Sequence, residues 1–155
     1  MNFEDQIKKA IDRGRQTGQI SQEASRAAQL TQDELKRRHS AYRLELSEYI
    51  EQTLRKVPNL VPGFSFETVY GDRGWGGAIA RDDIQRGGTF YSRLELSVRP
   101  AGEYGLLTIV GRGTIKNREV LSWNHFAEIA DVETNAFKKL IDAWILQYIE
   151  MFSGT

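Results

Sequence analysis

Four tight-turn signals between Gly71 and Glu119 each set the register of a hairpin, and together they constrain the fold more than any other feature. Gly, Asn, Asp and Pro supply the backbone angles that a reversal needs, and loop length then dictates which residues face each other. Gly71-Asp72-Arg73-Gly74 sets Tyr70 opposite Trp75, and Gln85-Arg86-Gly87-Gly88 sets Ile84 opposite Thr89. Pro100-Ala101-Gly102-Glu103 sets Arg99 against Tyr104, while Lys116-Asn117-Arg118-Glu119 sets Ile115 against Val120. Carried outward, these pairings predict one row across five antiparallel strands: Phe66, Ile79, Leu94, Ile109 and Phe126, all large and apolar. A second row reads Thr68, Gly77, Leu96 and Leu107. A slip of one residue sends a strand's side chains to the opposite face, so the agreement of all five strands marks this face as the core side.

The helices lie on either side of this meander. Residues 19 to 57 contain neither Gly nor Pro, whereas eleven of the fourteen glycines fall between Gly63 and Gly113, so a helical segment precedes the hairpins. Phe3, Ile7, Ala10 and Ile11 recur at helical spacing ahead of Gly14 and Gly18, which reads as a short first helix and a flexible joint. Thr31-Gln32-Asp33-Glu34 has the form of a capping box that starts the next helix. Its stripe is Leu35, Tyr42, Leu46, Tyr49, Ile50, Leu54 and Val57, and Pro58 ends it. Residues 19 to 30 carry a weak face of Ile20, Ala24, Ala27 and Ala28 that either extends this helix or forms a separate arm. Asp131 is placed to cap a last helix, whose face of Phe137, Leu140, Ile141, Trp144, Ile145, Tyr148, Ile149 and Phe152 must be buried. The expected fold is therefore α+β: N-terminal helices, a five-stranded antiparallel meander, and a C-terminal amphipathic helix on one sheet face, a two-layer sandwich. Residues 1–155 form a single domain in this reading, with 1–30 as a flexible or partner-binding helical arm.

Charge and cysteine content exclude more than they identify. Lys plus Arg equals Asp plus Glu at 21 each, so no global field draws the chain to nucleic acid or an anionic membrane. Without cysteine there are no disulfides, thiolate nucleophiles or cysteine metal sites, which favours the cytoplasm. No apolar run approaches a membrane span, and the opening residues lack the order of a signal peptide.

The sheet face turned away from the core carries the candidate chemistry. The same registers place Asp82, Tyr91, Arg112 and Trp123 in one row, with Ala80, Arg93, Val110 and His125 beside it and Ala78, Glu95 and Thr108 next. An arginine between Tyr and Trp can stack on both rings, and Asp82 can order the Tyr hydroxyl. Cross-strand stabilisation is the plainer use of such a row; a binding or self-association face is the other. Gly74-Trp75-Gly76-Gly77 leads into a strand and lacks a phosphate-loop lysine, so Trp75 is expected to pack rather than to serve a nucleotide site. Asp82 and Asp83, as strand neighbours, point to opposite faces and define no metal site. His39 sits on what reads as an exposed helical turn after Lys36-Arg37-Arg38, apart from His125, and no triad can be assembled. Gly105, Gly111 and Gly113 share the core side of the fourth strand, where missing side chains let a ring cross closely.

The expected function is a non-enzymatic protein-interaction or scaffold module without cofactor or metal. It presents the open sheet face, through Asp82, Tyr91, Arg93, Arg112, Trp123 and His125, or the helical arm, to a protein partner, including a second copy of itself. Leu106, Val110, Leu121 and Trp123 make that face too apolar for a fully hydrated surface. Single-stranded nucleic acid stacked on Tyr91 and Trp123 is the alternative, disfavoured by Glu67, Glu95 and Asp82 on the same face. A small-ligand site beneath the curved sheet comes third.

Overall fold

A computed structural model describes residues 2–102 and 105–155, and for residues 20–31 the backbone alone. In chain order the elements are α1 (Phe3–Leu54), α2 (Val57–Leu60), β1 (Ser65–Val69), β2 (Trp75–Gln85), β3 (Gly88–Val98), β4 (Leu106–Ile115), β5 (Arg118–Glu128), a 3-10 turn (Ile129–Asp131) and α3 (Thr134–Ser153). The five strands pair antiparallel in the order β1-β2-β3-β4-β5, and α3 contacts the sheet, so the chain is an α+β two-layer structure. It divides into two units, Met1–Lys36 and Arg37–Thr155.

α1 departs from the expectation of two helices. It runs without a break through Gly14 and Gly18, and the backbone at Thr31 is already helical, so no helix starts there. The cap expected from the Thr31 side chain, and the faces of Ile20, Ala24, Ala27 and Ala28, lie outside the described side chains. In the first unit every described side chain from Asn2 to Gln19 is exposed.

In the second unit, α1 buries His39, Leu46, Ile50 and Leu54, and Val57 of α2 follows on the same stripe. α3 buries Phe137, Ile141, Trp144, Ile145 and Tyr148. No side-chain hydrogen bond caps α3, which begins after Glu133, and Asp131 belongs to the preceding 3-10 turn. The two helices are joined by the Tyr49 hydroxyl donating to Asp142 Oδ1 at 2.7 Å and by a Lys138–Glu45 ion pair at 3.1 Å. Burial, together with the Asp142 carboxylate, raises the Tyr49 pKa. On the sheet side of the core lie Ile79, Leu94, Leu96, Val98, Leu107 and Ile109, all fully buried.

Two of the four registers match the sequence reading and two differ, with opposite consequences. Phe66 faces Ile79, Ile79 faces Leu94, and Ile84 faces Thr89, as the turns require. Between β3 and β4 the loop is longer than the turn Pro100–Glu103: Arg99 N–H donates to Thr108 O at 2.9 Å, and Leu94 faces Gly113 instead of Ile109. The pairing of Arg99 with Tyr104 falls on a residue outside those described. Because this displacement is even, every β4 side chain keeps its face.

The β4–β5 hairpin behaves differently. Lys116 and Asn117 take φ of 49° and 69°, which makes a two-residue reversal with Ile115 facing Arg118. Positive φ at both central residues is the twist-matched hairpin turn, and Asn tolerates it better than most residues. Asn117 also ties this turn to β3. Its N–H donates to Tyr91 O at 2.8 Å, its Oδ1 accepts from Tyr91 N–H at 2.8 Å, and its Nδ2 donates to Thr89 O at 3.2 Å. Gly113 then faces Leu121 while Thr114 faces Glu119, so Val120 is an extra residue, a β-bulge. Beyond it the register is odd relative to the expectation, with Ile109 opposite His125 rather than Phe126. The faces of β5 are exchanged: Phe126 is 60% exposed, and Leu121, Trp123 and His125 turn toward the core side.

Two glycines of β4 receive aromatic rings, as expected from their shared face. A side chain at Gly113 would meet the Tyr148 ring at 2.9 Å, and one at Gly111 would meet Trp123 at 2.7 Å. The Tyr148 hydroxyl donates to Thr114 O at 2.7 Å, and burial raises its pKa. Trp75, opposite Val98, packs as anticipated, with the Arg43 guanidinium 4.2 Å above its ring.

His39 is a correction, being 3% exposed rather than on a solvated turn. Its Nε2 is buried without a hydrogen-bond partner among the described residues. Desolvation lowers its pKa; a hydrogen bond to the Arg99 backbone opposes this, and the Arg43 charge adds to the lowering.

Three outcomes are expected. Leu94→Ala should cost about 2–5 kcal/mol in denaturant unfolding, the usual range for truncating a buried large aliphatic side chain; a loss below about 1 kcal/mol would contradict the core placement. Asn117→Gly should lose about 1–2 kcal/mol through the missing side-chain bonds, and Asn117→Ala should lose more because the left-handed backbone adds strain. Since the folded protein resists protonating His39, the unfolded chain binds more protons just below the ordinary imidazole pKa of about 6.5, and stability should fall as pH drops from there. Urea midpoints measured between about pH 7 and pH 5 should fall more steeply for the native protein than for His39→Leu.

Candidate functional site

With α3 and the part of α1 after Lys36 on one side of the sheet, the opposite side is assembled from the alternate residues of each strand. Its rows are Ser65, Ala80, Arg93 and Thr114; Glu67, Ala78, Glu95, Arg112 and Ser122; and Val69, Gly76, Ser97, Val110 and Asn124. Asp82 faces Tyr91 as expected, near the β2–β3 turn. Arg93 is half-buried and pairs with Glu67 on β1 and with Glu95 on its own strand, the latter at 3.3 Å. Desolvation works against its charge, but hydrogen bonds to Glu67 and Tyr91 and the two carboxylates outweigh it, so its pKa is raised.

Of the six residues singled out from the sequence, the structure places Asp82, Tyr91, Arg93 and Arg112 on this face and removes Trp123 and His125. Trp123 stacks on Trp144 of α3 with centroids 5.3 Å apart and planes at 2°, and His125 meets the Phe137 ring edge-on at 4.9 Å. The bulge at Val120 is the cause. Arg112 lies between Glu95 and Ser122 and is not sandwiched between Tyr91 and Trp123. The stacking platform proposed for single-stranded nucleic acid loses its tryptophan. Leu106 and Val110 remain on the open side, joined by Phe126, while Leu121 has left it.

At the end of the face near the β1–β2 turn the sheet closes into a groove of about 590 Å³. Residues Val69 to Gly74 form one wall, and Glu95, Ser97, Arg99, Val110, Arg112 and Asn124 are among the strand residues that line it. The wall stands close because of glycine. A side chain at Gly74 would meet Val98 O at 2.5 Å, and at Gly76 one would overlap Leu96 O, so any substitution there pushes the β1–β2 turn and the start of β2 away from β3. The Arg99 guanidinium donates to Arg73 O at 3.5 Å, linking the wall to β3. This groove was not anticipated from the sequence; the Gly74-Trp75-Gly76-Gly77 run was its only local sign.

The first unit offers a different kind of surface. Phe3, Ile7 and Ile11 are 74%, 44% and 48% exposed. Among the described residues no group of three or more His, Asp or Glu is placed to hold a metal ion, and no helix is long and apolar enough to cross a membrane. No protein-family model, curated protein or solved structure matches this chain.

Exchange of the β5 faces should separate two truncations that a flat reading of the row would treat alike. Arg112→Ala is expected to change unfolding free energy by less than about 1 kcal/mol, as exposed cross-strand residues do. Trp123→Ala, which removes a ring stacked in the helix–sheet layer, should cost about 2 kcal/mol or more. Equal small effects in chemical denaturation would place Trp123 on the open side after all.

Proposed function

We propose that this protein is a non-enzymatic interaction module that self-associates through its N-terminal helical segment. The supporting observation is a stripe that fits a second copy of itself. At about 100° per residue, Phe3, Ile7, Ala10, Ile11, Gly14 and Gly18 fall within an arc of about 100° on α1. Glycine inside a helix is about 1 kcal/mol less favourable than alanine, and among the described residues nothing beyond the adjoining helix backbone lies within 4 Å of where a side chain would start at Gly14 or Gly18. Their smallness serves no described contact within the chain. It leaves a shallow slot beside three exposed large side chains.

Antiparallel pairing of two copies about a two-fold axis between residues 10 and 11 fills that slot. Phe3 of one copy stands opposite Gly18 of the other, Ile7 opposite Gly14, and Ala10 opposite Ile11. Each large side chain meets a small position, and the same pairs recur in reverse, as a two-fold interface requires. On one flank Glu4 of one copy approaches Arg15 of the other, an attractive pairing. The interface is smaller than standard, so the expected dissociation constant is on the order of micromolar.

Sedimentation equilibrium of the full chain from about 1 to 200 μM should show a dimer that Ile7→Ser and Gly14→Leu both abolish without lowering the unfolding midpoint of the protein. Gly14→Leu is the discriminating change, because it improves helix propensity while filling the slot. Since the chain has no cysteine, Ala10→Cys should oxidise to a cross-linked dimer, whereas Phe3→Cys, far from the axis, should not. The mass of a single chain at every concentration would end this reading, and efficient cross-linking at Phe3→Cys would replace the antiparallel arrangement with a parallel one.

A further inference from the structure

The groove on the open sheet face carries a separate inference, independent of self-association. Its volume of about 590 Å³ lies within the range of small-molecule sites. Its charges are unevenly used. Glu95 is already engaged by Arg93, whereas among the described residues no carboxylate pairs with Arg73, Arg99 or Arg112, all of which line the groove. The groove therefore presents three arginines, from the β1–β2 turn, the residue after β3 and β4, against two carboxylates, Asp72 on the wall and Glu95, which shares Arg93 with Glu67. Beside them Ser97 and Asn124 offer neutral hydrogen-bonding groups, and Val110 supplies an apolar floor.

Guanidinium groups bind carboxylate and phosphate through paired, parallel N–H bonds, and three arginines lining one groove favour an anion with more than one charged oxygen. We infer that the groove binds a small organic anion bearing carboxylate or phosphate groups, held by Arg73, Arg99 and Arg112, with its carbon skeleton against Val110. Position within the fold favours such a role. The wall depends on Gly74 and Gly76, whose hydrogen atoms are all that fit against the β3 backbone, so the groove's width is fixed by close backbone contact and not by flexible side chains.

The test is a titration of isotope-labelled full-length protein, followed by amide chemical shifts, with citrate and with inorganic phosphate at constant ionic strength set by chloride. Saturable shifts confined to residues around Arg73, Ser97, Arg99 and Arg112 are expected, with affinity reduced at least tenfold in both Arg99→Gln and Arg112→Gln. Tighter binding of citrate would assign the site to carboxylates and tighter binding of phosphate to phosphoryl groups. Shifts that stay linear to about 20 mM, or that match those given by chloride, would overturn the inference. So would saturable binding that both substitutions leave unchanged. Repeating the titration with Ile7→Ser keeps this result apart from the fate of the dimer, since that residue lies outside the groove.

Discussion

Strand alternation makes the chemistry of a whole sheet face depend on a single residue. Val120 is the extra member of β5, and because of it Trp123 and His125 reach α3 while Ser122, Asn124 and Phe126 face away. The tight reversal at Lys116–Asn117 and the bulge are complementary. The first shortens the hairpin, and the second restores enough length for the Trp123 ring to settle over Gly111 and stack on Trp144. The core side thus gains the Trp123 indole, and Ser122, Asn124 and Phe126 take the open face in its place.

Much of the architecture was legible because it rests on composition and period. The apolar stripe of α3, the order of the strands and the registers of the first two hairpins follow from features a few residues long. The error at the β3–β4 loop did no harm to face assignment, since a shift of Leu94 from Ile109 to Gly113 is even. At β5 the error was odd and reversed the face. No local rule foretold the bulge, because Lys116-Asn117 and Asn117-Arg118 are both acceptable turn centres and the choice is made by bonds to Tyr91 and Thr89 on a distant strand. His39 was misplaced for a related reason: a charged run precedes it, but the neighbourhood of Arg43 and Arg99 that buries it comes from tertiary packing. Of the candidate surface, Asp82, Tyr91, Arg93 and Arg112 were readable from alternation. The groove was not, since it is made by the close approach of two backbones at Gly74 and Gly76.

The two units use small residues in opposite ways. In the sheet, Gly111 and Gly113 are filled from within the chain, by Trp123 and Tyr148, and their smallness is a packing requirement. On α1, Gly14 and Gly18 face open space. The contrast gives the glycine pattern its meaning, because a conformational cost carried by an exposed helix is unexplained until something lies against it.

Pairing with β1 stops at Ala80, and β2 continues to Gln85 with no strand among the described residues on that outer side. Over this stretch the chain sets Arg81, Asp82 and Asp83 in succession. Arg81 is bound to Asp83 and to Pro62 O, and its guanidinium lies 5.1 Å from the Phe152 ring. A foreign strand seeking the free backbone groups there would have to strip water from consecutive charges and dislodge a clamped guanidinium. Charges in succession and a clamped guanidinium are the features that oppose the addition of a further strand at an open sheet edge, so the adjacent carboxylates that first invite thoughts of a metal make this length of margin a poor template for growth.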